Sequence, residues 1–163
     1  DKIFVPIVKG GNIKYVKPDN WFMEWSKELV SFYKKDKKAR YQNSSYYFRK
    51  GIGVPMVSST SITGVLIENR LFDQSIVGIF PKDENLIHYL LAFFNSPTCN
   101  KLIRTINPST NNSSNYIKRI PFVQPTVQDL KTITENVKQI IEQVKISGDY
   151  ELDLEIKNNK IIK

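Results

Sequence analysis

Cysteine, histidine and methionine are nearly missing from this 163-residue chain, which has one Cys, one His and two Met. With Cys99 alone there is no intrachain disulfide and no thiolate metal cage, so a reducing, cytoplasmic setting is expected. With His88 alone there is no multi-histidine metal site, and no second histidine to support a catalytic one. No run of about 18 apolar residues occurs, so no membrane-spanning helix is expected, and no signal peptide is visible. Methionine is also missing from position 1, where Asp1 stands; the expectation is a piece of a longer protein.

What is abundant is aromatic and basic. Hydrophobic residues make up 40% of the chain, with nine Phe, eight Tyr and two Trp, a composition that can bury a core without covalent staples. Net charge is +8. Residues 34–50 hold Lys34, Lys35, Lys37, Lys38, Arg40, Arg49 and Lys50 against Asp36 alone, so this short stretch carries +6 of the total. Such a concentration attracts polyanions; a solvated lysine-rich turn is the alternative. The cations alternate with aromatics and amides, in Arg40-Tyr41-Gln42-Asn43 and in Tyr46-Tyr47-Phe48-Arg49-Lys50. Lysines neutralise phosphates, whereas Arg, Asn and Gln can make paired contacts to base edges. Otherwise Tyr47 faces the core and the amides form turns.

Hydrophobic periodicity predicts a series of short strands and helices, with a long helix toward the C-terminal end. Residues 2–8 read as an edge or opening strand because of Pro6. Gly10 and Gly11 read as a hairpin turn to a second strand at 13–16, with close approach to a phosphate as the lesser alternative. Trp25, Leu29, Phe32 and Tyr33 fit one face of a helix over about 22–35. Gly51 and Gly53 bracket a bend before strands at 54–57, 63–67 and 75–80, the last placed centrally because it is apolar throughout. Asp83 caps a buried helix to about Phe94 that contains His88, read as a core or boundary histidine. Asn95-Ser96-Pro97 breaks it. Thr98 caps the next helix, whose stripe Cys99, Leu102, Ile103 and Ile106 makes Cys99 a core thiol. Residues 107–121 form a loop rich in hydroxyls and amides, longer than a simple connection needs. Leu130, Ile133, Val137, Ile140 and Val144 form a heptad seam, which packs on its own domain or on a partner helix, and Gly148 ends that helix. The expected division is a main domain at 1–125, the C-terminal helix at 126–147 and a charged, weakly alternating tail at 148–163 that is short, irregular or partly ordered.

Over the stretches Tyr47-Phe48-Arg49-Lys50-Gly51, Ser58-Ser59, Phe72-Asp73-Gln74-Ser75, Leu90-Leu91-Ala92-Phe93-Phe94-Asn95-Ser96, Ile106-Asn107-Pro108-Ser109-Thr110-Asn111-Asn112 and Ile120-Pro121, the sequence resembles a known family. It is similar to the C-terminal target-recognition domain of bacterial type II adenine-N6 DNA methyltransferases, including fused restriction-modification enzymes. The opening from Pro6 to Gly11, and Trp21 to Trp25, also fits, so about three quarters of the chain is covered. The resemblance implies a mixed α+β (α/β) domain, with a twisted, mostly antiparallel sheet, packed helices and a long C-terminal helix, that selects the DNA sequence through loops entering a groove of double-stranded DNA. A separate catalytic domain of the same parent chain would bind S-adenosylmethionine and transfer the methyl group to a flipped adenine. Its Gly-rich cofactor motif and its Asn-Pro-Pro-Tyr type motif are not in this sequence; Asn107-Pro108-Ser109-Thr110 lacks the second proline and the aromatic. No cofactor and no methyl transfer are therefore expected of this fragment alone.

The leading expectation is a sequence-specific DNA-recognition module. Lys34, Lys35, Lys37, Lys38 and Lys118 would contact phosphates. Arg40, Gln42, Asn43, Arg49, Asn111, Asn112 and Arg119 would reach base edges, with Lys50 in the same basic segment. A second reading is a subunit-interaction module acting through the C-terminal helix, as in the specificity subunits of type I systems, with a homodimer as one form of it. A third is a nuclease, from the acidic-x-Lys spacing of Asp153, Glu155 and Lys157, which could hold a divalent metal on carboxylates; the match is short and lies in the tail.

Overall fold

The computed structural model describes residues 3–163; the expected strand start at Lys2 lies outside the described residues. In chain order the elements are β1 (Phe4–Val8), β2 (Phe22–Glu24), α1 (Lys27–Lys35), β3 (Gly51–Pro55), β4 (Val65–Ile67), β5 (Leu71–Phe72), β6 (Ile76–Ile79), α2 (Ile87–Phe94), α3 (Pro97–Ile106), α4 (Ser114–Ile117), α5 (Val127–Ser147), β7 (Glu155–Lys157) and β8 (Lys160–Ile162). The protein is a mixed α+β fold with mainly antiparallel pairing.

Among the described residues the strands form two three-stranded sheets, ordered β2-β1-β5 and β4-β3-β6, and the β7-β8 hairpin. The apolar strand β6 is therefore an edge strand, not the central one expected. The centre is β3, buried throughout. Gly51 and Gly53 lie inside it rather than around a bend, and their neighbours explain why. A Cβ on Gly51 would sit 2.5 Å from the Phe80 ring and 2.8 Å from the Ile79 carbonyl, and one on Gly53 would meet Ile76 at 3.0 Å. β3 needs glycine because side chains from its neighbours lie over its backbone.

β1 likewise stands between two strands, although it contains Pro6. It pairs antiparallel with β2 over residues 4–6 but with β5 only at Ile7 and Val8, in parallel. The missing N–H of Pro6 thus falls where β5 has not begun to pair. The expected hairpin strand at 13–16 does not form. Tyr15 has φ 61° and makes a single bridge to Val65. The loop is instead closed by a side chain: Lys17 Nζ reaches back to the carbonyls of Lys9 (2.5 Å) and Gly10 (2.8 Å), and its burial lowers its pKa, with Asp73 opposing.

α2 packs on β3 and α5, and Ile52, Val54, Ile87, Leu91, Ile103, Val137, Ile140 and Val144 form the main core. Three of the five seam residues of α5, with Ile141, are buried in this core. α5 begins at its cap Thr126, whose hydroxyl accepts from Asp129 N (3.1 Å), and ends at Gly148 with φ 69°. Asp83 caps the single 3₁₀ turn that leads into α2. The cap of α3 is Ser96, whose hydroxyl accepts from Cys99 N (3.1 Å), not Thr98; Pro97 occupies the first helical position, where its absent N–H costs nothing. A smaller cluster of Val8, Val65, Ile67, Phe72 and Ile76 joins the two sheets. Of the alternatives for the tail, the partly ordered one describes it, since it carries a short hairpin. β7 and β8 pair through Asn158 and Asn159, both at positive φ, the geometry of a two-residue hairpin turn, and Leu154 enters the core.

Candidate nucleic-acid interface

The basic segment leaves α1 and crosses to β3 through an irregular path. α1 is shorter than expected, because Phe22–Glu24 pairs as β2 against β1 and Trp25 precedes the cap Ser26. α1 buries no residue; Phe32 is more than half exposed. Lys34 and Lys35 lie in its last turn, where the carbonyl end of the helix favours cations. Asp36 then turns the chain, its carboxylate accepting from Lys38 N at 2.8 Å. Arg40 (φ 48°), Asn43 (φ 58°) and Phe48 (φ 63°) all adopt left-handed backbone, which is unfavourable for Arg and Phe and requires the surroundings to hold it.

What holds it is an aromatic cluster built on Trp25. Tyr33, Tyr41, Tyr47 and Phe48 place their ring centroids 6.1, 6.3, 6.0 and 5.7 Å from that of Trp25. Tyr47 also packs edge-on to Phe72 (5.7 Å) and donates to the Gln42 carbonyl (2.9 Å). Tyr47 is thus both core-facing and the anchor of the loop, and burial raises its pKa against the opposing effect of that hydrogen bond. Lys34 lies over Tyr41 (5.8 Å), and Arg49 lies over Tyr46 (5.2 Å) and Phe80 (5.8 Å). Arg40 donates to the side chain of Gln74, in the β5–β6 turn.

Three depressions run together across this surface. A groove of about 460 Å³ is lined by Lys34, Lys35, Lys37, Arg40, Tyr41 and Gln42, with Tyr33 and Asp36. It shares Arg40, Tyr41 and Gln42 with a cleft of about 290 Å³ whose walls include Trp25, Lys38, Asn43, Tyr47, Asp73 and Gln74. That cleft shares Asn43, Met56, Phe72 and Ile76 with a third, of about 390 Å³, reached by Tyr46, Phe80, Ser113 and Ser114. The basic segment and the start of α4, some 70 residues apart in the chain, therefore meet at Asn43.

The amide-rich stretch from 107 to 121 is mostly a tether. Asn107 is buried; its amide donates to the Asn111 carbonyl (2.5 Å) and its oxygen accepts from Ser109 N (3.1 Å). Arg104 of α3 donates to the carbonyls of Ser109 (2.6 Å) and Ser58 (2.9 Å). Asn112 has no exposed surface; its backbone N–H donates to Met56 (2.6 Å) and its side chain to Pro55 (3.4 Å). As a base-edge candidate Asn112 is therefore corrected: it pins the loop to the end of β3, where an unpaired backbone carbonyl would be costly. Asn111 is exposed and bridges Val57 through its backbone.

Of the remaining sequence candidates, Lys34, Lys35, Lys37, Lys38, Arg40, Gln42, Asn43 and Arg49 are exposed on or beside the three depressions. Lys50 is half-buried and ion-paired with Glu68 at 3.4 Å. Lys118 and Arg119 are exposed at the end of α4, one turn past Ser114. Sequence reasoning placed Trp25 on a helix face, Tyr41 among the aromatics of the basic segment and Gln74 in a stretch of the resemblance, with no contact between them; the cross-chain pairing of Arg40 with Gln74 has no periodic signal.

The other candidate chemistry is differently placed. Burial, followed by the Lys50 and Lys138 charges and opposed by Glu68, brings the His88 pKa down to about 4. Cys99 is fully buried, which pushes its thiol up to about 12. Asp153 and Glu155 both face Lys14, at 2.6 and 3.6 Å, and no cluster of three potential metal ligands occurs among the described residues. No helix among them is long and apolar enough to cross a membrane. No protein-family model matches this chain, and no curated protein matches it significantly.

Proposed function

We propose that this chain is a sequence-specific DNA-recognition module of a restriction-modification adenine-N6 DNA methyltransferase. The observation that carries the reading is the continuity of the three depressions: a lysine-lined groove that opens directly onto Arg40, Gln42 and Asn43 and continues to the start of α4. Cations that neutralise phosphates then stand next to side chains able to read base edges. The assignment to this enzyme class rests on the sequence resemblance. In this reading S-adenosylmethionine and the transfer step belong to a catalytic domain of the parent chain. Pairing of two copies through α5 has less support, since Val137, Ile140 and Val144 are buried within the chain.

Binding should be read by gel shift with duplex DNA over a salt series. The logarithm of affinity should fall with the logarithm of salt, with a slope near −0.9 for each phosphate neutralised. Lys37→Ala should weaken all duplexes alike and make the slope shallower by about one, whereas Arg40→Ala should relax sequence choice. Salt-insensitive binding, or no binding to any duplex, would sink the proposal.

A further inference from the structure

The central cleft has features that a phosphate-tracking groove does not require. Its walls are aromatic, with Trp25, Tyr41 and Tyr47 mutually 5.6 to 6.3 Å apart. Its polar lining comprises Lys38, Arg40, Gln42, Asn43, Asp73 and Gln74, of which Arg40 and Gln74 are paired with each other. At about 290 Å³ it has room for a heteroaromatic ring system. Ring faces stack on any base, because every base has a π-face, and an Arg beside a Gln presents donors and an acceptor in one plane of approach. In the free protein Arg40 donates to the Gln74 side-chain oxygen, and a ligand edge that accepts from Arg40 and donates to Gln74 replaces that contact on both. The entrance is shared with the lysine groove through Arg40, Tyr41 and Gln42, which places the backbone of a nucleic-acid strand at the mouth.

We propose that this cleft receives one unstacked nucleobase of the bound DNA, stacked on Tyr41 and Trp25 with its polar edge toward Arg40 and Gln74. This rests on the DNA-recognition reading and adds to it a site that accepts a base outside the double helix. Extrusion is easiest where pairing is already weak, so the cleft favours a mismatched or single-stranded base over a paired one.

The test uses Trp21→Phe, which leaves Trp25 as the reporter in a chain with two tryptophans. Trp21 is more than half exposed and does not line the cleft. A single-stranded thymidylate hexamer should quench Trp25 fluorescence saturably, and a duplex with one central mismatch should bind about tenfold tighter than the matched duplex, because extruding a mismatched base costs less. Tyr41→Ala should remove both effects, and Tyr41→Phe should keep both. If Tyr41→Ala does not fold, Arg40→Ala in the same background should lose the mismatch preference. Salt-dependent duplex binding with unchanged Trp25 fluorescence and no mismatch preference would overturn the base cleft and leave DNA recognition standing. Failure to bind any DNA would overturn both.

Discussion

His88 sits on the buried side of α2 with two cations, Lys50 and Lys138, acting on it and Glu68 opposing them. Its ordinary pKa of 6.5 falls to about 4 in the folded chain. Between these values the unfolded chain binds a proton that the folded chain does not. The stabilisation is therefore complete above about pH 6.5 and is lost as pH falls toward 4, by up to about 3 kcal/mol. Urea unfolding at pH 7, 5.5 and 4.5 should show this loss. His88→Gln should flatten it relative to the parent chain, and an unchanged pH profile would remove the account. The core character of His88 and Cys99 was legible from single residues on apolar helical stripes. The role of Asn112 was not: an Asn in a polar loop reads the same whether it points to solvent or accounts for the carbonyl of Pro55.

At the scale of elements, the stretch 107–121 illustrates how a binding-like composition can serve attachment. Arg104 joins its Ser109 to Ser58, Asn112 ties it to Met56 and Pro55, and Asn107 braces it from within; only its later part, from Ser113, reaches the clefts. Asn112→Ala should cost roughly 1–3 kcal/mol by leaving buried polar groups unpaired. It should leave the DNA affinity of the folded fraction within twofold of the parent. A large drop in thermal midpoint with intact binding is the expected pair of results; intact stability with lost binding would restore Asn112 as a contact residue. Long helices with caps, α5 above all, were legible because the seam, Thr126 and Gly148 agree. The first helix was overextended because Trp25, Leu29, Phe32 and Tyr33 satisfy helical spacing, yet Phe22–Glu24 pairs with β1 instead. Nothing local to residues 22–24 reveals that partner.

For the whole molecule, the C-terminal tail matters more than its composition implies. Leu154 is buried, Ile156 and Ile161 pack on the main core, and Lys14 joins Asp153 and Glu155. Ending the chain at Gly148 should lower its unfolding free energy by roughly 3 kcal/mol or more, given the apolar surface exposed. Chemical denaturation of the shortened chain checks this, and an unchanged midpoint would show that the hairpin is an appendage. The sequence by itself determined the mixed α+β class, the positions of the principal helices, the burial of Cys99 and the concentration of charge at 34–50, because periodicity and charge are local properties. Only the tertiary structure decided which strand is central, since that depends on whose side chains cover Gly51 and Gly53. It alone brought Gln74 to Arg40 and Ser113 to the cleft at Asn43, because contacts between distant residues are set by packing that no single stretch of the chain encodes.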